Sequence, residues 1–178
     1  MFIDVYNDCY FFHHTSEKPF LGFDEQAVYN QHIGTKPKGI WFCFGHKNSK
    51  HDTLEEYCIQ HRGINTQFAS IINKVQIGID LPFYKKLLYI QNVYDVFNIE
   101  RQYGVVKEDK THLDWTKIAK KYIGIVLFEQ EQGCLLNYGF QKDKTGSHNN
   151  WLETWSLYGG CIWEPKYLKI IKEWEYNG

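Results

Sequence analysis

The sequence predicts a single α+β domain over residues 1–178, built on a mostly antiparallel or mixed sheet. Three observations predict it. Short apolar runs bounded by Gly, Pro or polar clusters recur along the chain, as strands do. One run, LDWTKIAKKY, carries apolar residues at Trp115, Ile118, Ala119 and Tyr122, the i, i+3, i+4, i+7 spacing of a helix face. The strand-like and helix-like runs are intermixed without the regular βαβ alternation of a parallel doubly wound sheet.

The elements follow in order. CYFFHHTS is an apolar run that stops at polar residues, and predicts a strand over Cys9–His14. Residues 17–38 hold Pro19, Gly22, Gly34 and Pro37, and read as loop with a short helix over Asp24–His32. In KGIWFCFG, Gly39 and Gly45 bracket five apolar residues, which fits a buried strand. Asp52 or Thr53 then caps a helix over Leu54–His61. Val75, Ile77 and Ile79 alternate with polar residues in KVQIGID, the pattern of a half-buried strand. Asp80-Leu81-Pro82 breaks it, KKLLYI forms another short strand, and a helix follows over Val93–Tyr103. After LDWTKIAKKY, IGIVLF is a strand, residues 129–150 a long loop, WLETWSLYGGCIW strand-rich, and Tyr167–Trp174 a short amphipathic helix.

Composition narrows the function classes. Of 178 residues, 43% are hydrophobic and 23% charged, ordinary globular values. The aromatic share of 17%, with 6 Trp and 13 Tyr, is high; it serves either a ring-rich core or a site that stacks flat ligands. The net charge of −1 argues against a mainly electrostatic nucleic-acid binder. Lys36–Lys38, Lys117–Lys121 and Lys166–Lys172 are the densest basic stretches and read as solvated faces. Five widely spaced Cys without a CxxC pair point to reduced thiols. With no charged leader and apolar h-region at the start, the expectation is an intracellular, cytoplasmic protein without a membrane span.

Two segments can carry chemistry. FFHHTS puts imidazoles and hydroxyls at a sheet rim, with His13 and His14 on opposite faces by strand alternation. GIWFCFG places Trp41 on a strand, and a helix sixteen residues on carries Tyr57; two such rings could hold a planar heterocycle, or both could be core. His46, His51, Cys58 and His61 lie close in sequence, but His46 and His51 pair poorly for a zinc site. A Cys–His nucleophile needs a spatial pairing that spacing does not show.

These two segments together resemble ADP-ribosyltransferases of the diphtheria-toxin and poly(ADP-ribose) polymerase class. FHHTS resembles their His-x-Ser/Thr strand, and GIWFCFG with LEEYC their Gly-(Ile/Leu)-(Tyr/Trp)-Phe strand and the helix ending in Tyr-Cys. DWTKIAKKYIGI and GGCIW are similar to later segments of small phage and giant-virus proteins of this general fold. The resemblance implies NAD as substrate and an ADP-ribosyltransferase-like α+β fold, a mixed or antiparallel split sheet with flanking helices. His13 or His14 would bond a ribose hydroxyl, with the Thr15 backbone on the nicotinamide amide. Gly39 and Trp41 would line the nicotinamide ribose, and Tyr57 would stack on nicotinamide. A Glu at the head of a late strand would stabilise the oxocarbenium-like ribose. Glu153 fits that place best, followed by Glu129 and Glu131. The implied activity is mono-ADP-ribosyl transfer to a protein or nucleic-acid acceptor with release of nicotinamide. A catalytically inactive nucleotide- or nucleic-acid-binding relative is the alternative, and a nucleic-acid-modifying transferase another.

Overall fold

The computed structural model describes residues 8–14, 22–46, 73–79, 81–127, 151–155 and 159–175. Ten strands and two α-helices fall within them: β1 (Asp8–His14), β2 (Ile33–Gly34), β3 (Ile40–His46), β4 (Asn73–Ile79), β5 (Leu87–Ile90), α1 (Val93–Tyr103), β6 (Gly104–Lys107), β7 (Lys110–Asp114), α2 (Trp115–Ile118), β8 (Gly124–Leu127), β9 (Gly159–Ile162) and β10 (Leu168–Glu175). Seven strands form one mixed sheet in the order β10-β4-β1-β3-β9-β8-β5, and β2-β7-β6 form a second. All pairs are antiparallel except β5 with β8. The α+β class with a mixed sheet is therefore as expected. None of the described helices is long and apolar enough to cross a membrane.

The large sheet is covered on both faces. One face packs Ile90, Ile125, Leu127 and Cys161 against Val96, Ile99 and Tyr103 of α1, Trp115 and Ile118 of α2, and Trp151, Leu152 and Trp155. On the other, Ile40, Phe42, Val75, Ile77, Val126 and Ile162 cluster with Ile123 and Leu168, and the partly buried Phe23, Phe83 and Tyr167 pack against them. Double coverage explains why β8 and β9 are buried at every position and show no alternation in sequence. Each large side chain so buried contributes about 2 kcal/mol. It also accounts for most of the tryptophans. Trp115, Trp151, Trp155 and Trp163 are core rings, and Trp41 joins their cluster from its partly buried edge.

α1 spans the expected residues because its ends are encoded locally. The Asn92 side chain accepts from Asp95 N at 3.2 Å while Asp95 accepts from Asn92 N at 3.2 Å, a reciprocal capping box.

Three expected helices differ. Asp24–His32 is irregular apart from a turn closed by Ala27 N on Asp24 O at 3.0 Å; the Asp24 carboxylate takes Gln26 N instead of starting a helix. The LDWTKIAKKY helix is a single turn, α2. Trp115 and Ile118 are buried as the spacing requires, but the chain must turn at residues 119–121 to bring Ile123 N onto Lys86 O and Gly124 into β8. Tyr167–Trp174 belongs mainly to β10, which covers the outer side of β4. An irregularity between Ile170 and Lys172 shifts its register, so the apolar positions lose the two-residue period and mimic a helical spacing. The hairpin β6–β7 went unforeseen. Its turn is Glu108-Asp109, both at positive φ, without the Gly that marks such turns in sequence.

Asp114 closes β7 and caps α2. Its carboxylate accepts from Thr116 Oγ1 and from Lys117 N at 3.2 Å, and pairs with Lys117 Nζ at 3.1 Å. These bonds, the Thr116 hydroxyl foremost, lower its pKa against an opposing desolvation. A folded-state pKa below the unfolded value adds stability above the unfolded pKa and loses it as pH falls through the folded one. Asp114→Ala is expected to cost about 1 kcal/mol at neutral pH, as loss of an N-cap does. In urea titrations this difference should shrink below about pH 4.

Candidate functional site

The two segments that carry the resemblance are hydrogen-bonded neighbours at the middle of the large sheet. β1 pairs β3 antiparallel from Asp8↔His46 to Phe11↔Cys43. The pairing ends at Phe11↔Cys43, and His13 and Trp41 each lie two residues beyond it on the two strands. On its other side β1 pairs β4, with His13↔Lys74 and His14↔Asn73. Gly39 enters β3 with φ 158°, and a Cβ there would collide with the Ile162 carbonyl and come within 2.7 Å of Cys161 Sγ. Only glycine lets the chain pass this close to β9 on its way to Trp41.

Trp41 lies across from Cys161 of β9. Its ring is half-buried and meets Trp155 with centroids 4.7 Å apart and planes at 57°. Lys36 Nζ stands 5.2 Å from the centroid of the same ring, at cation–π distance. Trp155 in turn packs edge-on against Trp151 at 5.9 Å.

Glu153 falls in the 3-10 turn Trp151–Thr154, between buried Leu152 and buried Trp155. The expectation of a Glu at the head of a late strand is corrected here. The strand that follows, β9, begins six residues later at Gly159-Gly160, and its four residues include no carboxylate. The reason is packing. Trp151, Leu152 and Trp155 all turn inward, which a tight turn closed by Trp155 N on Leu152 O at 2.8 Å allows and an alternating strand does not. The backbone of Glu153 thus lies two residues from the ring that touches Trp41.

Thr15, Tyr57, Glu129 and Glu131 lie outside the described residues, as do His51, Cys58, His61 and the expected helix Leu54–His61. Among the described residues no three His, Cys, Asp or Glu side chains gather as a metal site would require. Burial raises the pKa of the Cys161 thiol well above the usual range, the opposite of what a nucleophilic cysteine needs. On the same face, desolvation raises the pKa of the half-buried Glu100 carboxyl of α1.

Sequence reasoning passed over Lys36 and Trp155. Lys36 sits in a Lys-Pro-Lys stretch that reads as a solvated face, and Trp155 in a run read as strand. Only the fold brings both to Trp41.

Comparison of the chain with protein-family models, with curated proteins and with solved structures finds no match.

Proposed function

We propose that the protein is an NAD-dependent mono-ADP-ribosyltransferase with an ADP-ribosyltransferase-like fold, and that it binds NAD at the β1–β3 centre. The observation that carries this reading is the antiparallel pairing of the two motif-bearing strands, with His13 and Trp41 each two residues beyond the last paired position, Phe11↔Cys43. Those are two residue types that the chemistry asks for: a side chain to bond a ribose hydroxyl and a ring to pack beside the nicotinamide ribose. In the reaction the bond between nicotinamide N1 and the ribose anomeric carbon breaks. Nicotinamide leaves neutral, the acceptor's nucleophile bonds the anomeric carbon, and its proton goes to a base. A carboxylate beside the developing positive charge lowers the barrier, and Glu153 takes that role. The acceptor is a macromolecule, protein or nucleic acid.

The test is nicotinamide release from NAD. The wild-type protein is expected to release it, and Glu153→Gln to slow release on the order of 100-fold while NAD still binds. Unchanged turnover in Glu153→Gln rejects Glu153 as the carboxylate. A second reading, an inactive nucleotide-binding relative, draws support from the glycine pair that opens β9 and from the place of Glu153 on a 3-10 turn. It predicts NAD binding with no nicotinamide release from the wild-type protein.

A further inference from the structure

Lys36 stands on a connection anchored at both ends. Trp115 Nε1 donates to Gly34 O at 3.0 Å, and β2 pairs Gly34 with Leu113. The Gln31 amide accepts from Lys38 N at 3.0 Å and donates to Lys38 O at 2.7 Å. Pro37 between them is buried. The loop therefore presents Lys36 to Trp41 from a fixed base. The side chain as a whole is exposed, yet its ammonium lies close enough to the protein that desolvation lowers its pKa. Among the described residues no carboxylate pairs with it.

On the inner side of the same ring, Trp155 is 2% exposed and its indole N–H has no acceptor among the described residues. Buried donors are rarely left so. Among the described residues, a cation without a counter-ion and a donor without an acceptor thus border one aromatic ring. Both are completed by oxygen acceptors, and the cation by negatively charged ones.

We propose that Lys36, with the Trp155 N–H as a second donor, forms a phosphate-binding subsite beside Trp41 that takes the diphosphate of the bound dinucleotide. The assignment to a dinucleotide rests on the NAD reading of the site; the affinity for phosphate does not. Lys36 can meet a phosphate at once, whereas Trp155 Nε1 is closed to solvent and meets an oxygen only when the packing around it opens.

Calorimetric titration with three probes separates these ideas: ADP-ribose, inorganic pyrophosphate and nicotinamide riboside. Lys36→Ala is expected to weaken ADP-ribose and pyrophosphate about tenfold, as loss of one charge-assisted contact does. The loss should be largest at low salt. Nicotinamide riboside, which is cationic and lacks phosphate, should bind Lys36→Ala as well as wild type or better. Lys36→Arg should keep most of the affinity for both phosphate probes. Equal weakening of all three probes would show that Lys36 only props Trp41 and would overturn the proposal. So would unchanged binding of ADP-ribose and pyrophosphate, or failure of both to bind wild type. If pyrophosphate binds in a Lys36-dependent way but nicotinamide riboside does not bind, the phosphate subsite stands and the nicotinamide reading fails.

Discussion

Trp115→Ala is expected to lower the unfolding free energy by about 3–5 kcal/mol, the range for emptying a buried large aromatic site. Trp115 is fully buried and meets Trp151 edge-on at 5.8 Å and Trp163 at 6.5 Å. Its backbone N donates to His32 O at 3.2 Å and its Nε1 to Gly34 O at 3.0 Å. One side chain therefore joins α2, the indole cluster and the small sheet. The loss is a large part of the roughly 5–15 kcal/mol that a domain has. Trp115→Phe keeps most of the volume but leaves the Gly34 carbonyl without its donor, and should cost about 1–3 kcal/mol. Urea unfolding followed by circular dichroism measures both. A loss under about 1 kcal/mol for the alanine variant contradicts the central packing role of this ring. Because Trp115 also fixes Gly34, the alanine variant should loosen the loop that carries Lys36.

Elements with local signals were legible in the sequence. β1 and β3 are apolar runs closed by polar residues or glycines, and α1 carries its own capping box. Elements decided by distant partners were not. β10 is a strand because β4 needs cover on its outer side, and its register shift hides the two-residue period. α2 stops after one turn because Ile123 is taken by Lys86 O. The site divides in the same way. Gly39 and Trp41 stand out in one short motif, and their reason is local: a strand entered through a position where a Cβ would strike Ile162. Lys36 acquires its place only through the bond from Trp115 to Gly34, 81 residues apart in sequence, and through the Gln31 clamp. Nothing in the spacing of a Lys-Pro-Lys stretch announces that. Glu153 was readable as a candidate, but its turn was not, since Trp151, Leu152 and Trp155 share an inward direction only when the chain coils tightly.

Trp41→Ala is expected to weaken NAD binding about tenfold, about 1.4 kcal/mol, because it removes the ring that packs on the nicotinamide ribose. Trp41 is suited to that role where the other tryptophans of its cluster are not. Trp115, Trp151, Trp155 and Trp163 are almost wholly buried, while Trp41 keeps part of its ring open beside Lys36. Trp41→Phe preserves a flat ring and should retain most of the affinity. Titration of NAD by calorimetry into the wild-type protein and Trp41→Ala, with far-ultraviolet circular dichroism to show that both are folded, tests the claim that this face of the sheet is a dinucleotide site. Saturable binding by the wild type and a loss of about tenfold in folded Trp41→Ala is the predicted result. Absence of NAD binding by the wild type, or equal affinity in the two proteins, contradicts it.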